Sequence, residues 1–203
     1  MRPSFLVATL LFGLVQTSPL AAQGAPQGAT STPAPAAQHR FGWVLDATFE
    51  FGGERVAETF FTDGSSQTMT AGQGGTFAFG AEFRPRAESR LTLRGTVGYK
   101  FVTTAATNAD IKMTRVPLEA VASWELPREM RVGAGLAYHT AIKFDGAGFG
   151  PNATFDPAAG ATLELGWKFL ALTYTAMDYR DEFGNDYDAS ALGVSLSWVF
   201  GKR

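Results

Sequence analysis

The chain has 203 residues, with 17 Lys plus Arg against 19 Asp plus Glu, a formal net charge of −2 and no cysteine. Near-neutrality without a basic cluster excludes nucleic acid as a natural partner, because neutralising phosphates needs concentrated Lys and Arg. The absence of cysteine excludes disulfide staples and an acylated-cysteine anchor.

In chain order, Met1-Arg2 gives a short positive start and Phe5 to Val15 an apolar run broken only by Thr9 and Gly13; small residues around Ala21-Ala22 follow. That is the layout of a secretory signal peptide over residues 1–22, too short to span a membrane as a helix. The small-residue rule places cleavage after Ala22, with Gly24 and Ala25 as alternatives. Residues 23–40 form a leader rich in Pro, Ala and Gln, without enough apolar surface to offset the entropy of ordering it. Residues 41–203 make one domain. No later segment holds the roughly 18 consecutive apolar residues of a membrane helix, so any spanning must be done by strands.

From Phe41 onward the hydrophobic period is two. Trp43, Leu45, Ala47, Phe49 and Phe51 alternate with Val44, Asp46, Thr48 and Glu50. Phe77, Phe79, Ala81 and Phe83 alternate with Ala78, Gly80, Glu82 and Arg84, and Leu91, Leu93, Val97, Tyr99 and Phe101 with Thr92, Arg94, Thr96, Gly98 and Lys100. A fourth segment sets Val116, Leu118, Ala120, Ala122 and Trp124 against Glu119, Ser123 and Glu125. A fifth sets Val132, Ala134, Leu136, Tyr138, Ile142 and Phe144 against Gly133, Gly135, His139 and Lys143. Ala161 to Lys168, Leu170 to Tyr179 and Leu192 to Phe200 complete eight predicted strands. The connections between them alternate long and short, as in transmembrane barrels with short periplasmic turns and longer extracellular loops. All four tryptophans, Trp43, Trp124, Trp167 and Trp198, then fall at one level, on the side of both termini, as interfacial indoles do. The expectation is an all-β fold, an eight-stranded antiparallel up-and-down transmembrane β-barrel. Two positions resist it. Pro117 lacks a ladder donor and marks either a bulge or the end of pairing, and the Lys168-Phe169 turn lacks the Gly or Asn of a two-residue hairpin.

Arg115-Val116-Pro117-Leu118, Gly135-Leu136-Ala137-Tyr138 and the closing Leu192-x-Val194-x-Leu196-x-Trp198-x-Phe200 resemble small bacterial outer-membrane β-barrel domains, the OmpA/OmpX-like and OmpW-like barrels. The resemblance covers Phe41 to Phe200. It implies residence in the outer membrane with both termini periplasmic, contact with lipid and lipopolysaccharide, and a monomer. The last pattern resembles the signal read by the barrel-assembly machinery, departing from it in the Gly201-Lys202-Arg203 that follows Phe200.

Asp46, Glu50, Glu82, Glu119 and Glu164 share the polar faces with Arg84, Arg94, Lys100, Lys143 and Lys168. Eight strands leave a lumen just wide enough for side chains to fill, so these charges are expected to pair and plug it, with Glu82, Arg94, Glu119 and Glu164 near mid-depth. His139 faces the same lumen. Outer-membrane lipid A deacylases carry a His-x-Ser pair, but here the second residue after His139 is Ala141, so no nucleophile accompanies the base. No catalytic, cofactor-binding or metal residue is assigned, and no enzyme activity is expected. Asp178, Asp181, Glu182, Asp186 and Asp188 lack calcium-loop spacing and read as a solvated surface loop. The expected function is a structural or surface-interaction barrel presenting its loops outward. Its alternatives are a narrow uptake barrel for small apolar molecules and a soluble lipocalin-like carrier.

Overall fold

Period-two hydrophobicity becomes a wall with two chemically different faces. The structure, a computed structural model, describes residues 40–60, 66–86, 88–103, 111–148 and 152–201. The expected signal peptide, and the leader up to residue 39, lie outside them. Thirteen strands occur among the described residues. They are β1 (Arg40–Phe51), β2 (Arg55–Phe60), β3 (Ser66–Thr70), β4 (Gly74–Arg84), β5 (Leu91–Thr103), β6 (Lys112–Leu126) and β7 (Met130–Asp145). β8 (Ala153–Phe155), β9 (Ala158–Trp167), β10 (Leu170–Ala176), β11 (Asp178–Arg180), β12 (Asp186–Asp188) and β13 (Ala191–Phe200) follow.

β1, β4, β5, β6, β7, β9, β10 and β13 pair antiparallel in that order, and β13 pairs back onto β1, so the sheet closes. The fold is a closed eight-stranded antiparallel β-barrel. Its stagger can be read by following partners around the wall. Phe41 pairs with Phe83, Phe83 with Leu93, Leu93 with Ala122 and Ala122 with Ala134. Ala134 pairs with Leu163, Leu163 with Tyr174, and Tyr174 with Leu192. Leu192 then returns to β1 at Phe51, ten residues beyond the start. A stagger of ten over eight strands gives a tilt of about 43° and a backbone radius of about 8 Å.

The usual burial pattern is inverted. Leu136 is 70% exposed and Phe77 62%, whereas Glu164, Lys100 and Arg115 are buried inside. On β1 the outward row runs from Phe41 to Phe51, which at this tilt spans about 24 Å along the barrel axis. The four tryptophans all point outward at the end that holds the three tight turns.

Three departures from simple alternation shape the wall. In β7, Val116 pairs with Thr140 but Thr114 with Lys143, a bulge that leaves Ala141 and Ile142 opposite Arg115. Ala141 takes φ 51° there. The faces exchange beyond it, so Ile142 and Phe144 are buried while Lys143 is exposed, the reverse of an unbroken alternation. Pro117 does not end its strand, and the β7 bulge begins at the pair next to it, Val116–Thr140. The β5–β6 ladder stops at Val97–Leu118 and resumes in unchanged register at Lys100–Arg115, with Pro117 in the gap. The β6–β7 ladder runs straight through Pro117–His139. Finally, the predicted segment Leu170 to Tyr179 breaks at Met177, and its end, β11, pairs with β12 in a separate hairpin above the wall.

The hydrophobic core sits over the loop end rather than inside the barrel. Met69 from the β2–β3 hairpin, Ile111, Met113, Ile142, Phe144, Phe155 and Tyr179 pack into one cluster, with Tyr187 against it. Loops read from sequence as polar and exposed thus contribute an apolar cap.

Candidate functional site

The interior is a stack of polar layers along the axis. Nearest the turns, Arg84 of β4 pairs with Glu125 of β6. Higher up, Glu164 of β9 accepts from Arg94 of β5 and, at 2.5 Å, from Arg131 Nε of β7. Arg94 also donates to Ser197 Oγ at 3.3 Å, and its Nε lies 4.0 Å from Asp46. Long guanidinium chains fit because facing positions are small: a Cβ at Gly166 would lie 2.6 Å from the Arg131 guanidinium carbon.

Above that layer the barrel holds the feet of its cap. Lys100 Nζ donates to Glu50 at 2.6 Å and to the Gly72 carbonyl at 2.8 Å. Arg115 donates to the Gln73 carbonyl at 2.5 Å, and its guanidinium lies 5.7 Å from the centroid of the Tyr179 ring. His139 Nδ1 lies 2.5 Å from the Tyr179 hydroxyl. The expected lumen histidine is therefore partnered by a tyrosine from the cap. Both Arg115 and Tyr179 are 1% exposed, so this layer is sealed from solvent.

Between these layers lies a cavity of about 20 Å³, lined among others by Asp46, Thr76, Glu119 and Thr173. That is room for about one water molecule. At the turn end the lumen widens into an open vestibule of about 660 Å³, lined by Glu82, Arg84, Thr92, Arg94, Ser123 and Arg131 among others.

The sequence-predicted charges thus divide. Asp46, Arg94 and Glu164 meet in one layer, Glu50 and Lys100 in another, and Glu119 faces the small cavity. Glu82 lies lower than expected, on the vestibule wall. Lys143 and Lys168 are not lumen residues: the β7 bulge turns Lys143 outward, and Lys168 occupies an exposed turn. Arg115 and Arg131 were missed in the sequence, although each lies on the inward register of its strand.

The acidic loop is also more ordered than its composition suggests. Asp181 accepts from the backbone N–H groups of Phe183 and Asn185 and from the Asn185 side chain, at 2.8–2.9 Å. Arg180 forks onto Asp186 at 2.7 and 2.9 Å. Among the described residues, no group of three or more His, Asp or Glu could hold a metal ion.

No protein-family model matches the chain, and no curated protein matches it either. Among solved structures it is similar to Ail, the attachment invasion locus protein of Yersinia pestis, determined in complex with the heparin analogue sucrose octasulfate. The identity is 11%, the match covers 78% of this chain and 97% of that one, and the TM-score is 0.37.

Proposed function

We propose that the chain is an integral outer-membrane β-barrel with a plugged lumen, and that it acts through its loop-end surface rather than as a pore or an enzyme. The observation that carries this reading is the inverted wall: an outward apolar band about 24 Å tall around an interior of ion pairs. Outer-membrane barrels present a band of about 25 Å flanked by aromatic girdles, and the tryptophan ring supplies one girdle. A soluble lipocalin-like carrier needs the opposite arrangement, with an apolar interior around its ligand.

The plug follows from the layers. Arg94, Arg131 and Glu164 tie β5, β7 and β9 together across the lumen, and the mid-height cavity beside them is about 20 Å³. Above it, Lys100 and Arg115 hold the connection between β3 and β4, at the foot of the β2–β3 hairpin, by the carbonyls of Gly72 and Gln73. In this reading both termini are periplasmic, the outer surface meets lipid and lipopolysaccharide, and β13 is the strand offered to the assembly machinery. The hairpins beyond the wall present a surface to the exterior. No cofactor or catalytic group is invoked.

Planar-bilayer recording tests the plug, with no stable conductance steps expected from the purified, folded chain. Reproducible steps would overturn it and favour the second reading, a narrow uptake barrel. The two-pair gap at Pro117 and the open vestibule are what speak for that alternative. Fractionation tests the membrane placement: recovery in a soluble fraction without detergent would refute it.

A further inference from the structure

Two of the three tight turns at the tryptophan end carry an exposed cation at a position where the backbone favours other residues. Arg128 has φ 63°, its neighbour Glu129 φ 60° and Lys168 φ 56°, all left-handed. Turns with those angles ordinarily take Gly or Asn, because a Cβ is penalised there. Arg86 and Arg90 flank the remaining tight turn, and all four cations are exposed, against Glu88 and Glu129 of opposite sign. At the loop end the balance is reversed: exposed anions such as Glu54, Glu58, Asp178, Glu182 and Asp186 outnumber the exposed cations Arg55, Lys112, Lys143 and Arg180. One of the cations stands over an indole ring: Lys168 Nζ lies 5.1 Å from the centroid of the Trp167 ring. Outliers of backbone conformation that persist in exposed turns call for a use of the side chain.

We infer that the turn end is a docking surface for anionic phospholipid headgroups, with Arg86, Arg90, Arg128 and Lys168 reaching phosphates at the level set by the tryptophans. The inference rests on the membrane placement proposed above. Its chemistry is charge complementarity at an interface. Long cationic side chains reach from the edge of an apolar band to the headgroup layer, where a negative surface attracts each Lys or Arg. The loop end carries the opposite net charge, so this attraction is confined to the turn end.

All four tryptophans lie at this end, so intrinsic fluorescence reports lipid at the turns alone. The full chain is folded into phosphatidylcholine vesicles containing a minority of brominated phosphatidylglycerol, or the same fraction of brominated phosphatidylcholine. Stronger quenching by the anionic lipid, abolished at high salt, is expected. The double variant Arg128→Gly/Lys168→Gly should lose that preference, by roughly fivefold for each cation removed. It should also melt at a higher temperature in zwitterionic detergent, because glycine relieves the two left-handed positions it replaces. Arg86→Gln/Arg90→Gln should lose the preference with no gain in detergent. Equal quenching by the two lipids, or an unchanged preference in both variants, would overturn the inference while leaving the membrane placement standing. Absence of quenching by either lipid would sink the placement itself, and this inference with it.

Discussion

Arg94 and Glu164 meet across the lumen from β5 and β9, strands separated in the wall by β6 and β7. The same carboxylate takes a second guanidinium from Arg131 of β7. One acidic group therefore anchors two cations inside a wall whose outside is apolar. Removing it leaves both guanidiniums without their carboxylate. We predict that Glu164→Leu destabilises the barrel by about 3–5 kcal/mol, as loss of one partner of a buried ion pair does. Adding Arg94→Met should cost much less than Arg94→Met alone, since the partner is already gone. Urea unfolding in detergent micelles measures both, and additive effects would show that the pair is not coupled.

The two faces of β7 give a second prediction. Leu136 points outward near the middle of the apolar band, so Leu136→Arg should cost roughly 2–4 kcal/mol in a bilayer. Its neighbour Gly135 fails for another reason. A Cβ there would lie 2.2 Å from the Ala120 carbonyl oxygen, so even Gly135→Ala should destabilise, in detergent and lipid alike. Equal tolerance of both substitutions in vesicles would show that Leu136 faces water.

The bulge at Ala141 yields a third. Its left-handed φ carries a penalty that glycine avoids, so Ala141→Gly should stabilise the barrel by about 1 kcal/mol. Deleting Ala141 removes only the extra residue: Thr140 stays on Val116, Ile142 falls opposite Arg115, and Lys143 and Phe144 keep Thr114 and Met113 as partners and therefore keep their faces. The deletion variant should keep both its wall and its cap, with protease resistance of the 146–190 stretch unchanged. New cleavage there would refute this.

Acid should loosen the β11–β12 turn first. Burial alone would raise the Asp181 carboxyl, but the Asn185 side chain, followed by the backbone N–H groups of Asn185 and Phe183, holds it below the ordinary value. A depressed value in the fold means stabilisation that is present above the unfolded value of about 3.9 and lost as pH falls through the folded one. Hydrogen-exchange protection of Phe183 and Asn185, corrected for intrinsic rates, should hold near neutrality and fall only below about pH 4. Asp181→Asn should weaken it at every pH. Protection that persists well below both values would contradict the assignment.

What the sequence made legible is what repeats locally. Eight strands, their antiparallel order and the level of the tryptophans follow from a period of two and from loop lengths, because each side chain's face is set by its immediate neighbours. The β7 bulge was hidden for the same reason. Ala141 carries no marker residue, and Ile142, Phe144 and Lys143 keep an apparently unbroken rhythm across it. The cap was also illegible: Met69, Ile111, Phe155 and Tyr179 are single apolar residues in four distant stretches, brought together only by closure of the wall. Pro117 was visible as an anomaly, yet its harmless position, in a two-pair gap with register kept on both sides, depends on which neighbour its missing donor would have faced.

The wall is almost entirely a chain of neighbours. Every ladder between successive barrel strands joins segments adjacent in sequence order, except the one that pairs Trp43 with Phe200 and Phe51 with Leu192. Seven of the eight seams can therefore form as hairpins while the chain is still arriving; the eighth must wait for its last strand and bring together residues more than 140 apart. Loop-closure entropy concentrates in that single seam, making it the slow step of folding. Until it forms, β1 and β13 are open edges able to pair with other chains. A permutant that links the 201 end to the 40 end and opens the chain at the Pro127–Glu129 turn should move the slow step to the β6–β7 seam while reaching the same barrel.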